Sequence, residues 1–137
     1  MLGRIHLLFG ILIVIIFLLS GQYMDKSFNH LQDMELMNRA LFRAGHLYIL
    51  LFGLINAALG SHLKLSKIIW VSLIQKVGSI VIFSATIMVI YGFFTELPSD
   101  DIERPLTRFS LYLILFGVSA HGLISLIPHK NKKLTDK

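Results

Sequence analysis

The sequence predicts an all-α polytopic membrane protein, a single bundle of four transmembrane helices, and two observations carry that fold class. Of 137 residues, 55% are hydrophobic and only 15% are charged, against about 25% charged in an average soluble domain. The few charges also cut the chain into four long pieces free of Asp, Glu, Lys and Arg: residues 5–24, 44–63, 77–95 and 109–129. A helix needs about 20 apolar residues to cross a hydrocarbon layer about 30 Å thick, and each piece has that length. Lipid forbids unpaired backbone groups, which leaves helices or closed barrels. The alternation of a membrane β-barrel is absent. Residues 1–129 therefore read as one membrane domain and 130–137 as a basic, disordered tail. The composition excludes an intrinsically disordered chain, and the lack of cysteine excludes a disulfide scaffold.

The first piece, 5–24, follows Arg4 and has the look of a signal peptide. Leu18 stands where a small residue would precede a cut after Ser20, so the piece is read as a spanning helix that is retained. Beyond it, Phe28, Leu31, Met34, Met37 and Leu41 recur every three or four residues. That period predicts a helix with Ser27 as its N-cap, lying on the interface or extending the second span. Before the third span, Lys64, Lys67 and Trp70 read as an interfacial turn, with Lys76 at the membrane edge. A span starting at Ile68 would instead bury Lys76 about 12 Å inside. Before the fourth span, Pro98 breaks the chain, Asp100 and Glu103 have the spacing of a capping box, and Pro105 fits a first turn.

Seven of the eight acidic residues fall in the loops after spans one and three. The opposite side carries eight Lys and Arg residues: Arg4, Lys64, Lys67, Lys76, Lys130, Lys132, Lys133 and Lys137. Five lie on the acidic side (Lys26, Arg39, Arg43, Arg104 and Arg108). The positive-inside rule counts Lys and Arg, so both termini are expected in the cytoplasm of a cell with this protein in its inner or plasma membrane. The basic charge suits anionic lipid head groups, each residue worth about 1 kcal/mol. A nucleic-acid partner is not expected.

The segment Leu47-Tyr48-Ile49-Leu50-Leu51-Phe52-Gly53 recurs 64 residues later as Leu111-Tyr112-Leu113-Ile114-Leu115-Phe116-Gly117, with five of seven positions identical. Both copies open an even-numbered span after an acidic loop, the pattern of a tandem-duplicated two-helix hairpin. Small residues pack helices in lipid. At 100° per residue His46, Gly53, Ala57 and Gly60 form one stripe on the second helix, and Ser110, Gly117, His121 and Ser125 another on the fourth. Both stripes are expected to face into the bundle. Asn56, mid-helix, needs a partner on another helix. The first helix offers only Gly10, Ser20 and Gly21 and is expected to face lipid.

Two residue sets are candidate sites. Histidine ligates haem and metals. On the helix rise, His46 lies about 5 Å below the acidic edge, His121 about 20 Å, and His6 and His62 about 28 Å. A single haem bridging His46 and His121 is therefore not expected, while an inner set of His6, His62 and His121 is allowed. Against this stands the plainer role of polar helix ends and of a His121 bonded to a carbonyl or serine. The second set is Arg39, Arg43, Arg104 and Arg108, which with His46 would converge on a phosphate or carboxylate if helices two and four are neighbours. The plainer role is pairing with the nearby acids and lipid phosphates.

No metal motif of the H-E-x-x-H or C-x-x-C kind is present. Ser119 and His121 are two apart on a helix and point different ways, so each would need partners elsewhere to act as a hydrolase. No charge-free piece holds Asp or Glu, against the membrane carboxylate of a small multidrug exporter. The expected function is a non-catalytic structural, accessory or ligand-binding membrane component. It would be embedded in lipid as a homo-oligomer or within a larger complex, with no cofactor predicted. A b-type haem or metal electron-transfer protein and an anionic lipid or solute carrier are the alternatives.

Overall fold

Four helices make up nearly all of the computed structural model, which describes residues 1–32, 34–96 and 103–126. They are α1 (Leu2–Ser27), α2 (Leu36–His62), α3 (Ile69–Glu96) and α4 (Pro105–Ser125), with no strand among the described residues. All four are long and apolar enough to cross a membrane. The protein is an all-α four-helix bundle.

The helices run past the charge-free pieces at the ends where long cationic side chains can reach out of lipid. Thus α2 begins before Arg39 and Arg43, and α3 begins before Lys76, which is exposed on its surface. The expected helix with Ser27 as N-cap is not formed. Ser27 is instead the last residue of α1, and the chain reverses through a short left-handed turn at Asn29, His30 and Leu31, with φ of 45°, 57° and 62°. Asn and His tolerate that region, whereas leucine rarely adopts it. Leu31 is held there by burial, at 2% exposure beside Ile13, Phe42, Ile49 and Phe93. Met37 and Leu41 do belong to α2, as its extension.

The bundle is two hairpins, α1 with α2 and α3 with α4, joined by a thinner α2–α3 contact. The expectation that α1 faces lipid is overturned on one side. A Cβ on Gly10 would collide with the backbone nitrogen of Ala57 and stand 2.7 Å from the Gly53 carbonyl oxygen. A Cβ on Gly60 would stand 2.6 Å from Leu7 Cα and 2.8 Å from the Gly3 carbonyl oxygen. Backbone thus lies on backbone along the whole basic half of this hairpin, the arrangement small residues permit in lipid. Two glycines of α1 make the approach, Gly10 against Gly53 and Ala57 and Gly3 against Gly60. In the second hairpin Gly117 of α4 lies on Gly78 and Ile82 of α3, where a Cβ would be 3.1 Å from the Gly78 carbonyl oxygen. The small-residue stripes of α2 and α4 therefore each face their own hairpin partner.

The start of α4 is capped from across the hairpin. The Glu96 carboxylate, at the end of α3, accepts from the amides of Leu106 (2.6 Å) and Thr107 (3.0 Å) and from the Thr107 hydroxyl (2.7 Å). Pro105 occupies the first turn, and Arg104 precedes it without a side-chain cap bond. Of the expected capping box of Asp100 and Glu103, Asp100 lies outside the described residues, as does the expected break at Pro98. A carboxylate at a helix N-terminus also meets the positive end of the helix dipole. Replacing Glu96 with alanine leaves two first-turn amides without an acceptor. Its expected effect is a loss of about 2 kcal/mol of stability, read as a lower midpoint of unfolding in detergent.

Candidate functional site

Besides the Glu96 cap, with Thr107 and Ser110, the described histidines inside the bundle take part in three polar groups. The largest joins three helices. Asn56 Nδ2 donates to the Phe52 carbonyl oxygen (2.9 Å) and to Thr86 Oγ1 (3.0 Å), and Thr86 Oγ1 donates to the Ile82 carbonyl oxygen (2.8 Å). A carbonyl only accepts, so the amide orientation is set and Asn56 Oδ1 faces His6. His6 Nδ1–H must then be the donor in their 2.8 Å bond. The ring is stacked on Phe83 with centroids 4.1 Å apart. His6, Asn56 and Thr86 are each fully buried, and His6 Nε2 has no hydrogen-bond partner.

The second group is in the first hairpin. Ser20 Oγ donates to the Phe17 carbonyl oxygen (2.8 Å) and accepts from His46 Nδ1–H (2.9 Å), with the His46 ring stacked on Phe17. The third is in the second hairpin, where His121 Nε2 and Ser79 Oγ share a bond of 3.3 Å. His62 donates from Nδ1 to the Ala58 carbonyl oxygen (3.1 Å) at the exposed end of α2. The expected inner set of His6, His62 and His121 shares no hydrogen bond, although His6 and His121 lie within electrostatic range of each other. Each histidine is bound to a different neighbour, and among the described residues no three His, Cys, Asp or Glu side chains form a metal-holding group. A haem on His121 through Nε2 would have to break the bond to Ser79.

The arginine set is divided between engaged and exposed side chains. Helices α2 and α4, which carry it, have little backbone contact but share one side-chain core, with Phe52 of α2 and Ile114 of α4. Arg39 Nη2 is occupied by the carbonyl oxygens of Gln32 (2.9 Å) and Met34 (3.1 Å), where it ties the turn to α2. Arg104 is engaged as well, and Arg43 and Arg108 are exposed. His46 faces α1 rather than these arginines. Of the packing residues, Gly53, Ala57 and Gly60 meet α1, Gly117 meets α3, and Asn56 links α1 to α3.

The opposite, basic end holds a cavity of about 920 Å³ between the end of α2, the connection to α3 and the end of α4. That volume is near the top of the range of about 300–1,000 Å³ seen for small-molecule sites. Its walls are apolar, with Ile55 and Leu59 of α2, Ile82 of α3, and Val118 and Ile124 of α4. Its polar lining is His62, Lys64, Ser66, Lys67, Gln75, His121 and Ser125. Of the histidine set, then, only His62 and His121 reach it. Gln75 shapes one side by holding the connection between α2 and α3. Its Oε1 accepts from the Ser66 amide (2.9 Å), and its Nε2 donates to the Lys64 carbonyl oxygen (3.2 Å).

Lys64 and Lys67 read in the sequence only as topology signals, and Gln75 carries no motif. The available signal was a lone amide in an otherwise apolar helix start. Gly122 also lines the cavity, and a Cβ there would meet nothing within 4 Å. His121 is paired with Ser79, and no carboxylate lines the cavity among the described residues. What it offers is an apolar slot with cations at its rim, suited to binding. Compared with known protein families, with curated proteins and with solved structures, the chain matches none.

Proposed function

We propose that this protein is a non-catalytic, membrane-embedded binding component whose site is the cavity at the basic end of the bundle. The carrying observation is the cavity itself, about 920 Å³ with apolar walls and a polar rim, within a chain whose four helices can each span a bilayer. An amphiphile drawn from the bilayer fits that division of surfaces. The reading keeps the expected placement, with the basic end and both termini in the cytoplasm of an inner or plasma membrane, because Lys64, Lys67 and Lys76 share that end. The glycine crossings support descent from a duplicated hairpin. Gly53 and Gly117, equivalent in the repeat, each lie on a glycine of the preceding helix. Association into a homo-oligomer or larger complex is part of the proposal.

Gly122 supplies the test. A phenylalanine there enters the cavity rather than a packed neighbour, so Gly122→Phe is expected to fold and remain monodisperse. Native mass spectrometry of protein extracted in mild detergent is expected to show a bound amphiphile on the wild type and none on the variant. Equal retention by both proteins overturns the assignment. A Soret band in the purified wild type would replace the amphiphile with haem.

A further inference from the structure

We infer that the ligand of this cavity is an acidic phospholipid, its phosphate held by Lys64 and Lys67 and its acyl chains laid between α2, α3 and α4. The inference rests on the binding role proposed above and names the chemistry of what binds. Both lysines line the cavity and are exposed, and neither has a carboxylate partner among the described residues. The described acidic residues, Asp25, Glu35, Glu96 and Glu103, lie at the other end of the bundle, so an anion is what the site lacks. The lysines are also preorganised. Gln75 grips the backbone at Lys64 and Ser66, and the Ile68 amide donates to Ser66 Oγ (3.2 Å), so the segment carrying both ammonium groups is fixed before a ligand arrives. Preorganisation spares the ordering that binding otherwise demands.

The head group follows from the donors. An ammonium meets phosphate as a point charge, whereas bidentate recognition of carboxylate favours the arginine fork. No arginine lines the cavity. The walls of Ile55, Leu59, Ile82 and Val118 continue from the lysine rim into the bundle, which places the phosphate at the membrane surface and the hydrocarbon inside. Anionic lipids at the cytoplasmic face are the supply that the charge asymmetry of the chain anticipates.

The test is lipid retention by purified protein incubated with phosphatidylglycerol or phosphatidylcholine of matched chains, read by native mass spectrometry. A preference of about thirty-fold for phosphatidylglycerol is expected, two lysines at about 1 kcal/mol each and about 1.4 kcal/mol per decade. Lys64→Gln with Lys67→Gln is expected to abolish the preference while both lipids still bind. Arg43→Ala, at the far end, is expected to leave it intact. Equal retention of the two lipids by the wild type overturns the phospholipid assignment and leaves the binding role standing. Displacement of phosphatidylglycerol by equimolar oleate, or by inorganic phosphate, likewise overturns it in favour of a carboxylate amphiphile or free phosphate. Retention of neither lipid, or undiminished retention by Gly122→Phe, removes the binding role as well.

Discussion

Replacing Gly10 with leucine is expected to split the first hairpin and to cause the largest loss of stability of any single change in this bundle. The new Cβ collides with the main chain of α2 at Ala57 and Gly53, and backbone cannot turn aside as a side chain can. Overpacking a well-filled core costs about 1–3 kcal/mol, and a backbone collision belongs at or above the top of that range. Gly60→Leu, which meets Leu7 and Gly3, should behave alike. The control is Gly122→Leu, whose side chain enters open space and should stay within about 0.5 kcal/mol of wild type. Denaturant titration in detergent micelles checks all three. Near-wild-type stability of Gly10→Leu would show that α1 is not seated on α2.

The second large effect is expected at Asn56. Asn56→Leu removes the acceptor of His6 Nδ1–H and one donor to Thr86, and it leaves the buried His6 ring with neither nitrogen satisfied. Interhelical hydrogen bonds in membranes average about 0.6 kcal/mol, with a maximum near about 1.7. Orphaning a buried partner adds about 1–3 kcal/mol, so a loss of about 2 kcal/mol is expected. His6→Phe in the same background should recover much of it, since removing both partners spares the unpaired group and a phenyl ring can keep the stack on Phe83. A double-mutant cycle separates the cases. Coupling of about 1 kcal/mol or more supports the network, and strict additivity refutes it.

The spans were legible because Arg4, Arg43, Lys76 and Arg108 bound pieces that are too apolar for water and long enough for lipid. Their true starts were less so. Arg39, Arg43 and Lys76 continue a helix, and a long cationic side chain marks neither its end nor the edge of lipid. The left-handed turn left no trace, since Asn29, His30 and Leu31 include no glycine and only the burial of Leu31 holds the conformation. Gly10 looked too solitary to organise α1, because close approach depends on what stands opposite. Glu96, just outside its charge-free piece, gave no sign that it caps a helix ten residues onward. The histidine and arginine sets shared a depth or a helix end, but depth says nothing about which helices are neighbours. The cavity was invisible for the same reason. It arises where the α2–α3 connection and the end of α4 stand apart, and separation between distant segments has no local signature.

The unequal strength of contacts within and between hairpins bears on biosynthesis. The backbone crossings that seat α1 on α2 lie between Gly3 and Leu63, so this pair is expected to close while the ribosome is still translating the rest. The later pair then docks onto a finished surface, guided by Thr86 meeting an Asn56 already oriented by Phe52. Assembly proceeds in two instalments, and the lysine-rimmed slot comes into being only with the second.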